Sequence, residues 1–504
     1  FNDTATTEIY TILFVGSVKM CIRDSLLERA MKLVQKVIHK TEPARRDDPG
    51  FIDELLGNQR KFYASGATRE LRFRREQLKL LRKVIEENEE KVLAALWNDL
   101  RKPRFEAYGA EIAVLYAEIR HALKHIKSWA RVRRVGTPLP FLPGRSEIRP
   151  GPYGTALIIG PWNYPFQLVI APLVAAVAAG NTAVLKPSEL APNTSRAVAE
   201  LIKSAFDPAF IAVVEGGVEA TRGLLERKFD YIFFTGGTEV GKKIMEAAAK
   251  HLTPVTLELG GKSPVIVDRD ADIDTAARRI AWGKFINAGQ TCLAPDYVLA
   301  HREVKDRLVA ALGKYINEFY GDNPKTSGSY ARIINERHFD RIAGLMGRGN
   351  TAAGGGRDRD DLYIEPTVLT GVTRDDPVMK EEIFGPVLPV MQFDTIDEAV
   401  DLVNAMPRPL ALYVFTRSRT TADRVLDSTS SGGAVVNDTV IHVGNPDLPF
   451  GGIGDSGMGT YHGKSGFETF SHMKSVLRKS RYLDAPFRYP PYRLGTRLLR
   501  FIFR

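Results

Sequence analysis

From Thr155 onward the chain alternates short, wholly apolar runs with helical patterns, and this rhythm constrains the fold more than any other feature. Residues 155–159, 181–185, 211–214, 231–234 and 255–257 are too short for helices and carry no polar face. Between them lie helical stretches: the alanine-rich 167–179, one from Asn193 and one from Thr238. Strands that are apolar on both faces belong in a parallel sheet covered by helices on both sides. Past Gly261 the alternation resumes with a strand at 264–267, a helix near 273–286, and strands expected at 297–299, 367–369, 387–392 and 412–415. The repeated rhythm predicts two α/β halves.

Ahead of this region, residues 52–130 read as helices, with Leu71, Leu78, Leu81 and Ile85 at helical spacing along a charged stretch. The proline-rich segment 137–144 cannot be helix interior and predicts an extended connector or arm. Residues 350–361, with Gly354, Gly355 and Gly356 followed by alternating Arg and Asp, read as a polar surface loop.

A chain of 504 residues is too long for one hydrophobic core, and 44% hydrophobic with 26% charged residues is the composition of a soluble globular protein. Its two cysteines, Cys21 and Cys292, provide neither a disulfide framework nor a metal-ligand spacing, so no metal is expected and the compartment reads as reducing and cytoplasmic. The formal charge of +10 is concentrated: eight basic residues and one acid lie between Arg478 and Arg504. That charge describes a tail rather than a nucleic-acid-binding face, and no nucleic-acid partner is expected. No apolar run reaches the ~18 residues of a membrane span. In residues 1–25, Asp3 and Glu8 precede a mildly apolar stretch where a signal peptide would carry basic groups, and Met31 opens a clearer helical pattern. Within the tail, Arg493, Arg497, Arg500 and Arg504 share one helical face and Leu494, Leu498, Leu499, Phe501, Ile502 and Phe503 fill the remainder. This suits either peripheral contact with an anionic membrane surface or docking on the enzyme or a second copy.

Cys292 sits in the polar run Asn287-Ala288-Gly289-Gln290-Thr291-Cys292-Leu293-Ala294-Pro295, beside a flexible glycine. Those surroundings suit a reactive thiol, although an incidental buried cysteine fits the residue taken alone. Glu258, between Leu257 and Leu259 and before Gly260-Gly261, is placed to have a raised pKa, as a general base near neutral pH requires. Phe234-Thr235-Gly236-Gly237-Thr238-Glu239-Val240-Gly241 joins a strand to a helix and could cradle a phosphate, or be a plain turn. Lys186-Pro187-Ser188-Glu189 could hold ribose hydroxyls, or be two solvated charges. Asn163, in Pro161-Trp162-Asn163-Tyr164-Pro165, could donate to an oxyanion, or simply form a turn. Glu381-Glu382-Ile383-Phe384-Gly385-Pro386 and the glycine-dense Leu448-Pro449-Phe450-Gly451-Gly452 read equally as a helix end and a surface loop.

Taken together and in chain order, these motifs resemble the aldehyde dehydrogenases from about residue 51 to about residue 477. The run from Asn287 to Tyr297, with Tyr461-His462-Gly463-Lys464, resembles the class-3 branch. The resemblance implies an α/β fold of two Rossmann-like open parallel-sheet domains plus a small bridging arm for oligomerisation. It divides the chain into an N-terminal extension (1–50), a cofactor-binding domain (51–258, with an arm at about 131–150), a catalytic domain (259–434), a bridging segment (435–485) and a basic tail (486–504). It implies Cys292 as nucleophile, Glu258 as the base for a deacylating water, and Asn163 as oxyanion donor with the Cys292 N–H. Lys186 and Glu189 would hold the adenosine ribose; Gly236, Gly237, Thr238 and Gly241 the pyrophosphate turn; and Glu382 the nicotinamide ribose, with Trp162, Leu259 and Phe384 lining that pocket. Gly237 stands where relatives often carry serine, and Asp455 where an asparagine is common, which puts an acid toward the expected substrate side. The implied activity is oxidation of an aldehyde, medium- or long-chain aliphatic or aromatic, to its acid with NAD or NADP, by a homodimer. Glu258 favours release of a free acid. An acyl-transferring or reductive member of the fold, or a catalytically idle scaffold, are the alternatives.

Overall fold

The computed structural model describes residues 49–484 together with 489, 490 and 500. The expectations for residues 1–48, and those for the tail 493–504 apart from Arg500, lie outside it. Helices Pro49–Ala64, Leu71–Glu87, Glu89–Leu100 and Val114–Trp129 occupy the first region, and the second of these buries Leu78, Leu81, Val84 and Ile85 on one face. The last is entered irregularly, through a short turn Arg104–Ala107 and a π-turn Tyr108–Ala113.

The strands are β1 (Arg133–Val135), β2 (Gly144–Pro152), β3 (Thr155–Ile159), β4 (Thr182–Lys186), β5 (Ile211–Val213), β6 (Tyr231–Thr235) and β7 (Val255–Glu258). After them come β8 (Pro264–Val267), β9 (Tyr297–His301), β10 (Asn350–Ala353), β11 (Arg357–Asp358), β12 (Tyr363–Ile364), β13 (Thr367–Thr370) and β14 (Val387–Phe393). The last four are β15 (Ala411–Phe415), β16 (Gly433–Val436), β17 (Gly457–Met458) and β18 (Ser471–Lys479).

The first sheet has the order β17-β7-β6-β3-β4-β5 and is parallel except for β17, which runs antiparallel to β7. The second has the order β10-β13-β14-β9-β8-β15-β16 and is parallel except for its edge strand β10. The two parallel sheets are those the apolar rhythm predicts: β3, β4, β6, β9 and β15 are buried at every position. A third, antiparallel sheet, β1-β2-β18, stands apart from both, with β18 pairing β2 from Ser471 opposite Pro152 to Lys479 opposite Gly144.

Two differences from the sequence reading have physical causes. Residues 350–361 are not a bare loop: β10 forms an edge strand on β13, and β11 pairs with β12. An exposed edge needs no apolar alternation, so its composition hid it. The boundary drawn at 434/435 falls inside β16, and residues 457–458 return to the first sheet beside β7.

The first chain segment of the first sheet, β3, lies inside it, with β4 and β5 on one side and β6 and β7 on the other. Where winding reverses, the loops leaving the strands diverge and open a crevice. The loops leaving β3, β4, β6 and β7 (160–166, 187–191, 236–237 and 259–263) therefore share one edge. In the second sheet the segments entering β8, β9 and β14 carry Gly260–Ser263, Cys292 and Glu382. The exit edge of one sheet meets the entry edge of the other there.

Candidate active site

After helix Ile273–Phe285 and Ile286 come three successive residues in the left-handed region, Asn287 (φ 52°), Ala288 (φ 51°) and Gly289 (φ 73°). Residues other than glycine avoid that region, so the surroundings must hold the turn. Gln290 does so from inside: Nε2 donates to the carbonyls of Asn287 (3.0 Å) and Arg332 (2.9 Å), and Oε1 accepts from the Ile334 N–H (3.0 Å). Glu106 accepts from the Asn287 N–H at 2.9 Å, Tyr164 and Thr291 share a hydroxyl contact at 2.8 Å, and Tyr413 donates to the Leu293 carbonyl at 2.6 Å. Gly289 lies directly on the Gly385–Pro386 backbone, where a Cβ would have no room. The loop delivers a half-buried Cys292. Burial pushes its thiol up to about 12, the nearby Glu382 and Glu258 carboxyls add to this, and the N–H groups of Cys292 and Leu293 work in the opposite direction.

Glu258 is the last residue of β7. Its backbone is anchored, with its carbonyl accepting from the Gly236 N–H (3.0 Å) and the next N–H, of Leu259, donating to Ser456 (3.1 Å). The side chain is 2% exposed, and neither carboxylate oxygen has a hydrogen-bond partner among the described residues. Burial alone raises its pKa well above the ordinary glutamate value. A buried acid left without partners is rare in a folded protein and marks a group with other work. Asn163 is likewise buried; its Nδ2 donates to the Gln290 carbonyl at 3.1 Å, tying the loop after β3 to the cysteine loop.

The remaining sequence candidates fall along the same edge. Lys186 ends β4, buried, with Nζ donating to the Pro187 carbonyl (2.8 Å) and 3.5 Å from Glu189, whose side chain is 42% exposed; burial lowers the lysine pKa. Gly236 and Gly237 lead into helix Thr238–Ala249. A Cβ on Gly236 would strike the Phe234 ring, and one on Gly241 would come within 2.8 Å of Leu259 Cδ2, whereas Gly237 faces open space. A serine at 237 would thus meet no obstacle; with glycine there, helix Thr238–Ala249 starts without a side-chain cap. Glu382 packs its carboxyl against Gly260 and accepts from the Gly261 N–H; burial raises it to about 8. Phe384, at φ 46°, stands edge-on to Trp162 at 5.2 Å, and Trp162 also meets the His338 ring at 4.8 Å. Asp455 departs from expectation: its carbonyl accepts from Thr238 Oγ1 (3.2 Å) and its carboxylate acts on Lys242, so this acid lies beside the glycine turn.

Several contributors were not singled out from sequence. Lys102 and Glu111 form a fully buried ion pair beneath Asn163; Lys262 and Asp296 form another, with Lys262 Nζ also donating to the carbonyls of Val378 and Glu381 (2.9 Å each). Ile383 N–H donates to Asp296 Oδ1 at 2.9 Å, so this second pair positions the loop bearing Glu382. Lys262 directly follows the Gly260-Gly261 pair; Lys102 and Glu111 had no local signal, since charges on a helical stretch read as solvated.

The arrangement offers a thiol, an unpartnered buried carboxyl and an amide donor at one point, next to a glycine-lined strand–helix turn. Among the described residues there is no cluster fit to hold a metal ion and no helix long and apolar enough to cross a membrane. The aldehyde dehydrogenase family model matches residues 35–476. The 4,4'-diaponeurosporen-aldehyde dehydrogenase of Staphylococcus aureus is 48% identical over 455 residues, covering 90% of this chain and 99% of that protein. Aldehyde dehydrogenase family 3 member A2 of Macaca fascicularis is 48% identical over 434 residues, covering 86% of this chain and 90% of its own length. A solved substrate-bound AldH of Staphylococcus aureus superposes with a TM-score of 0.88 at 47% identity, covering 90% of this chain and 99% of that one. On sequence, fold and the chemistry gathered at Cys292, the chain belongs to the aldehyde dehydrogenase family.

Proposed function

We propose that this aldehyde dehydrogenase oxidises its substrate through a covalent adduct on Cys292, with NAD or NADP as hydride acceptor and a free carboxylic acid as product. The observation that carries this reading is the isolated Glu258 carboxyl, buried without a partner and close enough to raise the Cys292 pKa. The residues on the glycine side fit a dinucleotide: Gly237 faces open space where helix Thr238–Ala249 starts, and Lys186 with Glu189 leaves β4 at the same sheet edge. When bound, the nicotinamide supplies the two-electron acceptor that the chain's own side chains lack.

Cys292 Sγ gives its proton to solvent and, as thiolate, attacks the aldehyde carbon, and the carbonyl π pair moves to oxygen. The resulting oxyanion is held by Asn163 Nδ2 and the Cys292 N–H, both fixed before substrate arrives. Loss of hydride from the carbon re-forms the carbonyl as a thioester on Cys292. Glu258 then takes a proton from water, the hydroxyl oxygen adds to the thioester carbon, and the thiolate departs with its bonding pair. The raised pKa keeps Glu258 basic enough for that proton transfer near neutrality. Gln290, Glu106 and Tyr164 keep the nucleophile loop in place throughout.

The substrates we assign are medium- or long-chain aliphatic or aromatic aldehydes. The exposed Leu139, Phe141, Leu142 and Leu477, on and beside the β1-β2-β18 sheet, support a second copy of the chain docking there as a homodimer. A panel of such aldehydes, assayed with NAD and with NADP, tests the reading together with Cys292→Ala. The wild type is expected to form NAD(P)H with at least one aldehyde and C292A to form none. Aldehyde-dependent NAD(P)H from C292A would refute it, and no turnover by the wild type on any aldehyde would favour an idle scaffold.

A further inference from the structure

Lys102 and Glu111 are both fully buried, yet nothing in the proposed reaction requires them to touch substrate. Removing two charges from water is costly, and apolar side chains of similar volume fold at least as well, so stability alone does not account for such a pair. What the pair contacts is specific. Lys102 Nζ donates to the Asn163 carbonyl at 2.9 Å and lies 4.0 Å from the centre of the Tyr164 ring. Glu111 Oε2 accepts from the N–H groups of Phe166 (3.0 Å) and Gln167 (3.1 Å). The pair therefore grips both ends of the short segment from Asn163 to Gln167 that leads from β3 into the next helix. Glu111 reaches it from the π-turn Tyr108–Ala113, a helix distortion of the kind found at functional sites, and Lys102 from the turn after Arg101, itself at φ 50°.

The grip continues to the nucleophile. The Asn163 carbonyl also accepts from Asn287 Nδ2 (2.9 Å), and the Gln290 carbonyl accepts from both Asn163 Nδ2 and Asn287 Nδ2 (3.1 Å each). Two carbonyls and two carboxamides close a buried ring, in which one Asn163 N–H is spent on Gln290 and the direction of the other is set. We propose that Lys102 and Glu111 are positioning residues that orient the Asn163 amide toward the oxyanion. This rests on Asn163 being the oxyanion donor, as proposed above.

A double-mutant cycle separates positioning from support of the fold. If Lys102 acts through Asn163, Lys102→Met lowers kcat at least tenfold in the wild type and by less than twofold in an Asn163→Ala background, while lowering the melting temperature equally in both. Because K102M strands a buried carboxylate, the cycle is repeated with the neutral pair K102M/E111Q, which keeps the volume without the charges and can be read even where K102M alone does not fold. Equal losses of kcat in the two backgrounds, or no loss in either, would overturn the proposal. An N163A protein with undiminished kcat would instead overturn the reading of Asn163 beneath it, and is recognised before Lys102 is altered.

Discussion

Gly289 offers a direct test of how tightly the nucleophile loop is held. At φ 73° it sits three residues before Cys292, and the Cβ of an alanine there would stand 2.9 Å from Pro386 N and closer still to the Gly385 carbonyl. Non-bonded carbon contacts settle near 3.5 Å, so the cysteine loop and the Glu382–Pro386 loop must separate by roughly 0.6 Å at Pro386 and by about 1 Å at the carbonyl. Both obstructions are backbone, and no side chain can rotate away. The left-handed conformation adds about 1 kcal/mol for a residue with a Cβ. A displacement of about 1 Å at reacting groups can lower turnover about 100-fold. Gly289→Ala should therefore fold, with stability reduced by about 1–3 kcal/mol in a denaturant titration. Its kcat for aldehyde oxidation should fall on the order of 100-fold. Turnover within threefold of wild type would refute the argument, since it would mean that these loops part without disturbing Cys292.

Further outcomes are expected at two buried carboxyls. Glu258→Gln should retain a first rapid release of NAD(P)H, then turn over on the order of 10²–10⁴ times more slowly as the thioester accumulates. Because the wild-type carboxyl is raised by burial and acts only when ionised, steady-state turnover should rise with pH through its raised pKa, and a rapid-mix assay in which E258Q shows neither burst nor slowing would contradict its role. Glu106 is raised to about 7 by burial, against the Asn287 N–H and Lys102. A carboxyl whose folded pKa exceeds its unfolded value of about 4.3 stabilises the fold fully below that value and loses the effect as pH climbs toward 7, by at most about 4 kcal/mol. Urea titrations should show wild-type stability falling over that window more steeply than that of Glu106→Gln, and parallel slopes would show the carboxyl to be unperturbed.

What could be seen in the sequence follows from which forces act locally. β3, β4 and β6 announced themselves because burial on both faces leaves only apolar residues, and the loops leaving them could then be assigned to one edge by topology. Cys292, Glu258, Asn163 and Glu382 stand in motifs whose order carried the family resemblance. Lys102 and Glu111 were invisible because their pairing depends on a segment over fifty residues later, and their helical stretch resembles any solvated, charged one. β18 escaped notice for a related reason. His472, Lys474, Arg478 and Lys479 give it no alternation, since it is held by its ladder to β2 rather than by an apolar face. Asp455 shows the limit of motif position, since its neighbours Thr238 and Lys242 are more than two hundred residues distant in the chain.

The burial of Cys292 has a bearing on its survival, since it favours the thiol over the thiolate. Peroxides and alkylating agents attack thiolates far faster than thiols. A sulfur that burial holds toward its protonated form is thereby oxidised more slowly. An enzyme meeting reactive carbonyls all its life carries its most vulnerable atom sheathed by the fold around it.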